Sequence, residues 1–437
     1  MNIAILGFAG QGQSSYEYWN TPEHKLTVCD MDSELQVPDG AHAQLGKDYL
    51  KNLDQFDLLV RTPILHPRDI VAANTETPTI LDKVTTNTNE FFRSCPTKNI
   101  IGVTGTKGKG TTSTLITRIL EAAGKRVHLG GNIGIPPLEL LKDDIRPDDW
   151  VVLELANFQL IDLKYSPALA VCLMVMEEHL DWHEDMEEYL AAKQQLFIHQ
   201  TSDDIAVYYA KNENSISIAD ASEGKRIPYF DTPGAMVNET KIVIDGQVIC
   251  DVSELKLLGK HNWQNVCAAV TATWQITQDV TAVRQAVTNF TGLPFRIEFR
   301  REVAGIRYYN DSFATGQGAT VAAIESIPGY KVLIIGGYDR MLELHELPEA
   351  IIRNRDTIRK VLLIGASADR TAEVLKQQGF ENFTFCRATT MPEIVAAATL
   401  EAQPGDAVVL SPSFASFDMF KNFQQRGELF NQAVEAL

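Results

Sequence analysis

Between Gly105 and Thr112 the chain reads Gly-Thr-Lys-Gly-Lys-Gly-Thr-Thr, and the chemistry this spacing serves is phosphate binding. Glycines at Gly105, Gly108 and Gly110 let backbone N–H groups turn inward around anionic oxygens, and a helix beginning at the loop adds positive potential. Lys109 can reach the outer phosphates of a nucleoside triphosphate, Thr111 or Thr112 can offer a hydroxyl to magnesium, and Thr106 and Lys107 complete the cradle. The pattern departs from the strict GxxxxGK[ST] form, because Val103 occupies the first glycine's place and Gly110 separates the lysine from Thr111. A phosphate loop alone does not separate kinase, GTPase, ATPase and ligase. Downstream residues narrow the choice. Glu154 closes an apolar run from Trp150, where a carboxylate could meet the loop's magnesium. Glu177-Glu178-His179-Leu180-Asp181 follows the next run, and Lys193 stands fourteen residues after His179. Each of these taken singly reads as a surface or capping group; behind a phosphate loop they gain weight together.

The elements that must position these groups are strands and helices in alternation. Buried-strand patterns are predicted at Asn2–Leu6, Lys25–Cys29 and Phe56–Val60, then at Asn99–Thr104, Trp150–Leu155 and Ala170–Val175. Helical patterns cover Met186–Phe197 and Asn262–Gln275. After Gly292-Leu293-Pro294 a further series gives strands at Ile306–Tyr309, Lys331–Ile335, Lys360–Ile364, Phe383–Cys386 and Ala407–Leu410. Continuous apolar strands alternating with helices predict parallel sheets covered on both faces. The expected fold class is α/β, in three consecutive domains: a Rossmann-like segment 1–94, a P-loop ATPase-like segment 95–294 and a Rossmann-like segment 295–437. In the first, Gly7, Gly10 and Gly12 open a glycine turn, although Ala9 breaks the usual GxGxxG. Ser14 and the strand-ending Asp30 are the candidate ligand contacts of that unit.

With 437 residues the chain exceeds the size of one core. Its 39 basic against 57 acidic side chains leave a net charge of −18, so nucleic acid is not an expected partner. A bound nucleotide must then be held by local cations and N–H donors. Six scattered cysteines lack any metal-like spacing and read as core residues of a reducing compartment. The opening residues Met1 to Gly12 read as a first strand and not as a secretion signal, and no membrane-spanning run is expected. A cytoplasmic protein without a membrane partner, and a monomer, is expected.

The phosphate loop, Gly130-Gly131-Asn132-Ile133-Gly134 and His261-Asn262-Trp263-Gln264-Asn265 together resemble the Mur ligase superfamily. Leu153–Leu160 (LELANFQL), Gly292–Arg296 (GLPFR), Asn310–Thr315 (NDSFAT) and Leu410–Gly427 are similar to the branch that adds glutamate. The motifs run from near residue 7 to near 427, over essentially the whole chain. The resemblance implies a first domain that binds the UDP part of a substrate, a central ATP-binding domain and a last domain that admits an amino acid. It implies that Lys109 and Thr111 hold ATP and a first magnesium with Glu154. A second magnesium would take His179 and a carbamylated Lys193, whose carbamate is an anionic oxygen ligand. Asn265, Arg296 and Asp311 match adenine, phosphate and ribose contacts, and Asn132 and Gln159 match contacts to a muramoyl group. Thr315, Ser416 and the backbone of Phe423 match a glutamate pocket, which Arg340 is expected to join.

The implied reaction activates a carboxylate, that of UDP-N-acetylmuramoyl-L-alanine, as an acyl-phosphate, which the amine of glutamate then attacks. Closure of the last domain would keep water from the acyl-phosphate. Several residues depart from the pattern: Ala156-Asn157 replaces Ser-Ser, Met174 stands for Asn, Arg61-Thr62-Pro63 for Ser-Pro-Gly, and Phe313 and Arg340 each for lysine. They leave the ATP machinery and touch the substrate pockets. The alternatives are another Mur ligase or a folylpolyglutamate-type ligase with a different acceptor or amino acid, L-glutamate included. A nucleotide-binding protein without activity is the remaining alternative, against which Lys109, Glu154, His179 and Lys193 all weigh.

Overall fold

A computed structural model describes residues 1–132 and 134–437; Ile133, inside the Gly130–Gly134 segment, lies outside the described residues. The chain forms two compact units, one of residues 1–254 with 263–288 and one of residues 255–262 with 289–437.

The first unit holds two parallel sheets. In the first sheet the strands lie in the order His42–Leu45, Lys25–Asp30, Asn2–Leu6, Leu58–Arg61, Val84–Thr86. All neighbours are parallel, as in a doubly wound α/β layer. The second sheet runs Lys225–Tyr229, Ile205–Tyr209, Leu169–Cys172, Ile100–Thr104, Trp150–Glu154, Val127–Gly131, again with every pair parallel. Its central strand Ile100–Thr104 is buried along its whole length, which is why the sequence there is an unbroken apolar run. One apolar cluster, from Ile3, Phe8 and Tyr16 through Phe91 and Leu153 to Tyr189 and Phe197, serves both sheets. A short antiparallel sheet, Met236–Asn238, Lys241–Ile244 and Gln247–Asp251, is appended.

The second unit has one sheet in the order Glu298–Val303, Ile306–Asn310, Ala407–Leu410, Lys331–Gly336, Ile358–Ile364, Phe383–Phe385. Only its first pair is antiparallel. Apolar clusters cover both faces, Leu333, Ile335 and Val409 on one and Val332, Ile334 and Val408 on the other, the alternation a strand imposes.

Boundaries differ from the sequence reading by small amounts. The strand expected to begin at Phe56 begins at Leu58, and that expected over Ala170–Val175 is Leu169–Cys172. The helix expected over Met186–Phe197 is regular to Gln194 and continues as turns through Phe197. Among the described residues no helix is long and apolar enough to cross a membrane. All six cysteines are unpaired.

Candidate active site

Strand Ile100–Thr104 delivers the chain into the glycine loop, and helix Lys109–Ala122 leaves it. Gly105 sits at φ 141°, where a Cβ would lie 2.7 Å from Leu173 Cβ. Gly108 sits at φ 87°, and a Cβ there would come within 2.2 Å of Asn265 Oδ1. The loop's glycines are thus required twice over, by backbone conformation and by close approach. The second contact also joins Asn265 to the loop. Thr112 Oγ1 reaches the same Asn265 Oδ1 at 3.5 Å. Thr106 plays a structural part: its hydroxyl donates to Met176 O, accepts the Met176 N–H, each at 3.0 Å, and meets Tyr189 Oη at 2.9 Å. Lys107 is exposed, while Thr111 is half-buried.

Two amines converge on one carbonyl. Lys109 Nζ lies 3.1 Å from Gly105 O and 3.0 Å from Thr106 O, and Lys193 Nζ lies 3.2 Å from the same Gly105 O. Lys193 is 1 % exposed, with its Nζ 4.4 Å from the Tyr189 ring centroid. Burial, with the Lys109 charge beside it, pulls the Lys193 ammonium down to about 7. Glu154, at the end of the adjacent strand, is also buried. Its Oε1 accepts the Asn132 amide at 3.1 Å, and its Oε2 has no partner among the described residues. A buried carboxylate oxygen left unmatched is the donor a hard divalent cation requires. His179 follows on a turn at φ 61°, packed against Phe158 with ring centroids 4.8 Å apart. Burial lowers its basicity below the ordinary histidine value, which keeps an imidazole lone pair available.

The turn that carries His179 is held from both sides. His66 Nδ1 accepts the Arg68 N–H at 3.1 Å, so its proton sits on Nε2, 3.3 Å from Glu188 Oε1. Asn157 Nδ2 donates to His183 Nε2 at 2.8 Å, and His183 Nδ1 faces Glu188 Oε2 at 3.1 Å. His66, His183 and Glu188 have the spacing of a metal cluster. Both imidazoles, however, present N–H and not a lone pair to the carboxylate: His183 hydrogen-bonds it, while His66 Nε2 faces it at 3.3 Å without forming a hydrogen bond, so this grouping is a polar clamp. Trp182 Nε1 donates to Ile64 O at 2.8 Å, and Arg68 reaches Trp182 O. Nearby, Arg61 is 1 % exposed. It grips Asp162 through Nε at 2.8 Å and Nη2 at 2.6 Å, and donates to the carbonyls of Phe158, Thr62, Pro63 and Leu65. Sequence reasoning registered Arg61 and Asn157 only as departures, and missed His183 and Glu188; the His-x-x-x-His spacing of His179 and His183, with Glu188 five residues on, was the signal available.

Other expected contacts already have partners in the protein. Ser14 lies buried against Asn87 Nδ2 at 3.3 Å. Asp30 accepts the N–H groups of Phe8 at 2.7 Å and Asp32 at 3.0 Å, so it braces the first glycine turn. Gln159 is buried, its Oε1 accepting the Ala156 N–H and its Nε2 unpartnered among the described residues; Asn132 is exposed.

In the second unit, Asp311 is buried and both its oxygens are occupied, by Ser411 Oγ at 2.6 Å and the Ile297 N–H at 3.1 Å. Desolvation pushes its carboxyl up to about 7. The Arg296 guanidinium stacks 3.8 Å from the Phe313 ring centroid, and that ring packs on Phe423 at 5.0 Å. Phe313 thus supplies a face for a cation where a lysine would supply the cation. Thr315 and Arg340 line one cavity with Tyr338, Asp339, Ser413 and Ala415. Ser416 is buried outside that lining, its carbonyl accepting the Met419 and Phe420 N–H groups. Phe423 opens helix Phe423–Glu435, where the first N–H groups lack helical acceptors.

Residues 103–273 match the Mur ligase middle domain and residues 295–414 the Mur ligase glutamate ligase domain. A UDP-N-acetylmuramoylalanine–D-glutamate ligase of Clostridium kluyveri is 37 % identical over 408 residues, covering 89 % of this chain and 85 % of that protein. The enzyme of the same name from Acetivibrio thermocellus is 37 % identical over 459 residues, covering 100 % and 96 %. Among solved structures, the UDP-N-acetylmuramate–alanine ligase MurC of Thermotoga maritima shares the fold with a TM-score of 0.61 at 15 % identity, over 100 % of this chain and 99 % of that one. The MurF ligase of Thermotoga maritima, solved with ADP, shares it with a TM-score of 0.61 at 15 % identity, over 99 % and 94 %.

Proposed function

Because this chain belongs to the Mur ligase family of ATP-dependent ligases, we propose that it joins D-glutamate to UDP-N-acetylmuramoyl-L-alanine in the cytoplasm, as a step of peptidoglycan synthesis. The observation that carries the reading is the convergence of Lys109 and Lys193 on Gly105 O, with an unmatched carboxylate oxygen of Glu154 at the end of the strand paired to Ile100–Thr104. Names of the nearly full-length relatives supply the acceptor and the amino acid.

Two ammonium groups held on one carbonyl repel each other, and the buried one is the weaker base. A neutral Lys193 amine would add to carbon dioxide and give up a proton to solvent, and the carbamate formed would face Lys109 as an anion. Attraction then replaces repulsion. The donor set suits magnesium: Glu154 and Thr111 would hold one ion, His179 and the Lys193 carbamate another. Magnesium, when bound, offsets charge on the phosphate oxygens.

The chain's own groups do the rest. Backbone N–H groups of Lys107 to Thr111 and the ammonium of Lys109 hold the triphosphate, with Asn265 on the nucleoside side. The substrate carboxylate attacks the γ-phosphorus and ADP departs, leaving an acyl-phosphate. The glutamate amine attacks the acyl carbon, and phosphate leaves as the amide forms. In this reading segment 1–94 takes the UDP portion through the region of Ser14 and Asp30, and Asn132 and Gln159 face the muramoyl group. Segment 95–294 works on ATP, and segment 295–437 seats glutamate through Thr315, Arg340, Ser416 and Phe423. The protein acts as a monomer.

The test is ADP release by the purified protein, with UDP-muramoyl acceptors and a panel of D-glutamate, L-glutamate, D-aspartate and uncharged amino acids. Strict dependence on UDP-N-acetylmuramoyl-L-alanine and D-glutamate is expected. Preference for an uncharged amino acid overturns the carboxylate pocket, and preference for L-glutamate overturns the stereochemistry alone.

A further inference from the structure

The loop that follows strand Ala407–Leu410 is fixed at every step. Ser411 Oγ donates to Asp311, Pro412 O accepts the Gly336 N–H at 2.9 Å, Arg426 Nη1 reaches Phe414 O at 3.1 Å, and Ala415 O accepts the Tyr338 N–H at 2.9 Å. Gly337 passes so near that a Cβ there would lie 2.2 Å from Ala415 O. Inside this loop Ser413 is held at φ 65°, in the left-handed region that favours glycine. It is 5 % exposed, and its hydroxyl has no hydrogen-bond partner among the described residues.

Ser413 therefore carries two penalties, a strained backbone and an unmatched buried hydroxyl, and the folded chain gains nothing from either. Glycine would remove both. The hydroxyl's use must lie in what enters the cavity, which Ser413 lines together with Thr315, Arg340 and Tyr338. The charge there is cationic in effect: Asp339 is already paired with Arg370 at 2.7 Å, which leaves Arg340. An anion with planar acceptor oxygens fits that lining.

We propose that Ser413 is a specificity residue, its hydroxyl donating a hydrogen bond to a carboxylate oxygen of the incoming amino acid in the cavity it shares with Arg340 and Thr315. The proposal rests on the ligase reading above. Nothing in the loop motif pointed to it, because the signal is a backbone angle and a missing partner.

Ser413→Ala and Ser413→Gly both delete the hydroxyl, the second while also relieving the backbone. Each is expected to raise the KM for D-glutamate at least about tenfold, the scale of one lost hydrogen bond to a charged group. The KM values for ATP and for the UDP-linked substrate should stay within about twofold of wild type. Neither variant should lower the Tm, since no partner inside the protein is lost, and Ser413→Gly should raise it by relieving the backbone at φ 65°. A D-glutamate KM unchanged in both variants overturns the assignment and leaves the ligase reading standing. A parallel rise in all three KM values with a lowered Tm assigns the hydroxyl to the fold and also overturns it. Absence of glutamate-dependent ADP release from the wild-type protein overturns the ligase reading itself, and the Ser413 assignment with it.

Discussion

Replacing Lys193 by methionine is expected to stabilise the protein while removing its activity. Methionine keeps the length and most of the volume of lysine but brings no charge into a site that is 1 % exposed. The ammonium falls from its ordinary 10.5 to about 7, with burial first and the Lys109 charge second among the causes. At about 1.36 kcal/mol per unit this corresponds to roughly 5 kcal/mol of penalty for charging Lys193 in the folded state. The sign follows from proton binding. An unfolded lysine keeps its proton to about 10.5 and the folded one releases it near 7. Between those values the unfolded chain binds more protons, so stability rises with pH. Below pH 7 the whole penalty is present. The assay is urea unfolding of wild type and Lys193→Met in buffer stripped of carbon dioxide, at pH 6.5 and at pH 9. A gain of a few kcal/mol is expected at pH 6.5, and a smaller one at pH 9. Bicarbonate should stabilise wild type and leave Lys193→Met unchanged, because only the amine can form a carbamate. A variant no more stable than wild type at pH 6.5 would refute the buried-charge argument, and full ADP formation by it would refute the carbamate's role.

Lys109→Ala should lower turnover at least about a hundredfold with the fold intact, as expected when a charge that stabilises phosphoryl transfer is removed; steady-state ADP release checks it, and near-normal turnover refutes it. Arg61→Ala strands the buried face of Asp162 and frees four carbonyls, so it should cost about 3–5 kcal/mol in denaturant unfolding. Gly108→Ala forces a Cβ to within 2.2 Å of Asn265 Oδ1 at φ 87°, and should raise the KM for ATP more than the KM for glutamate.

The phosphate loop, the alternating strands and the parallel character of the main sheets were legible because each leaves a local pattern: apolar runs of buried parallel strands and a fixed glycine spacing. Edge strands were not. His42–Leu45 is polar and largely exposed, and Val84–Thr86 is three residues long, so neither carries a hydrophobic signature. The hairpin Lys241–Ile244 to Gln247–Asp251 was readable from Asp245-Gly246 between two apolar runs, yet went unread beside the stronger α/β rhythm. At the site, types and spacing singled out Lys109, Glu154 and Lys193 as candidates, and the fold brings Lys109 and Lys193 to one carbonyl. They gave no hint that Ser14, Asp30 and Asp311 would be occupied by Asn87, Phe8 and Ser411. Such pairings depend on segments far apart in the chain, and a single sequence holds no record of which polar groups meet.

The clamp around Glu188 has a kinetic meaning. It ties segment 61–68 to segment 157–188 through contacts that span about a hundred residues or more, Arg61 to Asp162 and Trp182 to Ile64 among them. Contacts of such separation carry a large loop-closure entropy and form after nearby strands and helices have already paired. The turn bearing His179 therefore takes its shape only once both sheets have docked. In refolding, helical circular dichroism should recover ahead of Trp182 fluorescence, and enzymatic competence should return with the latter.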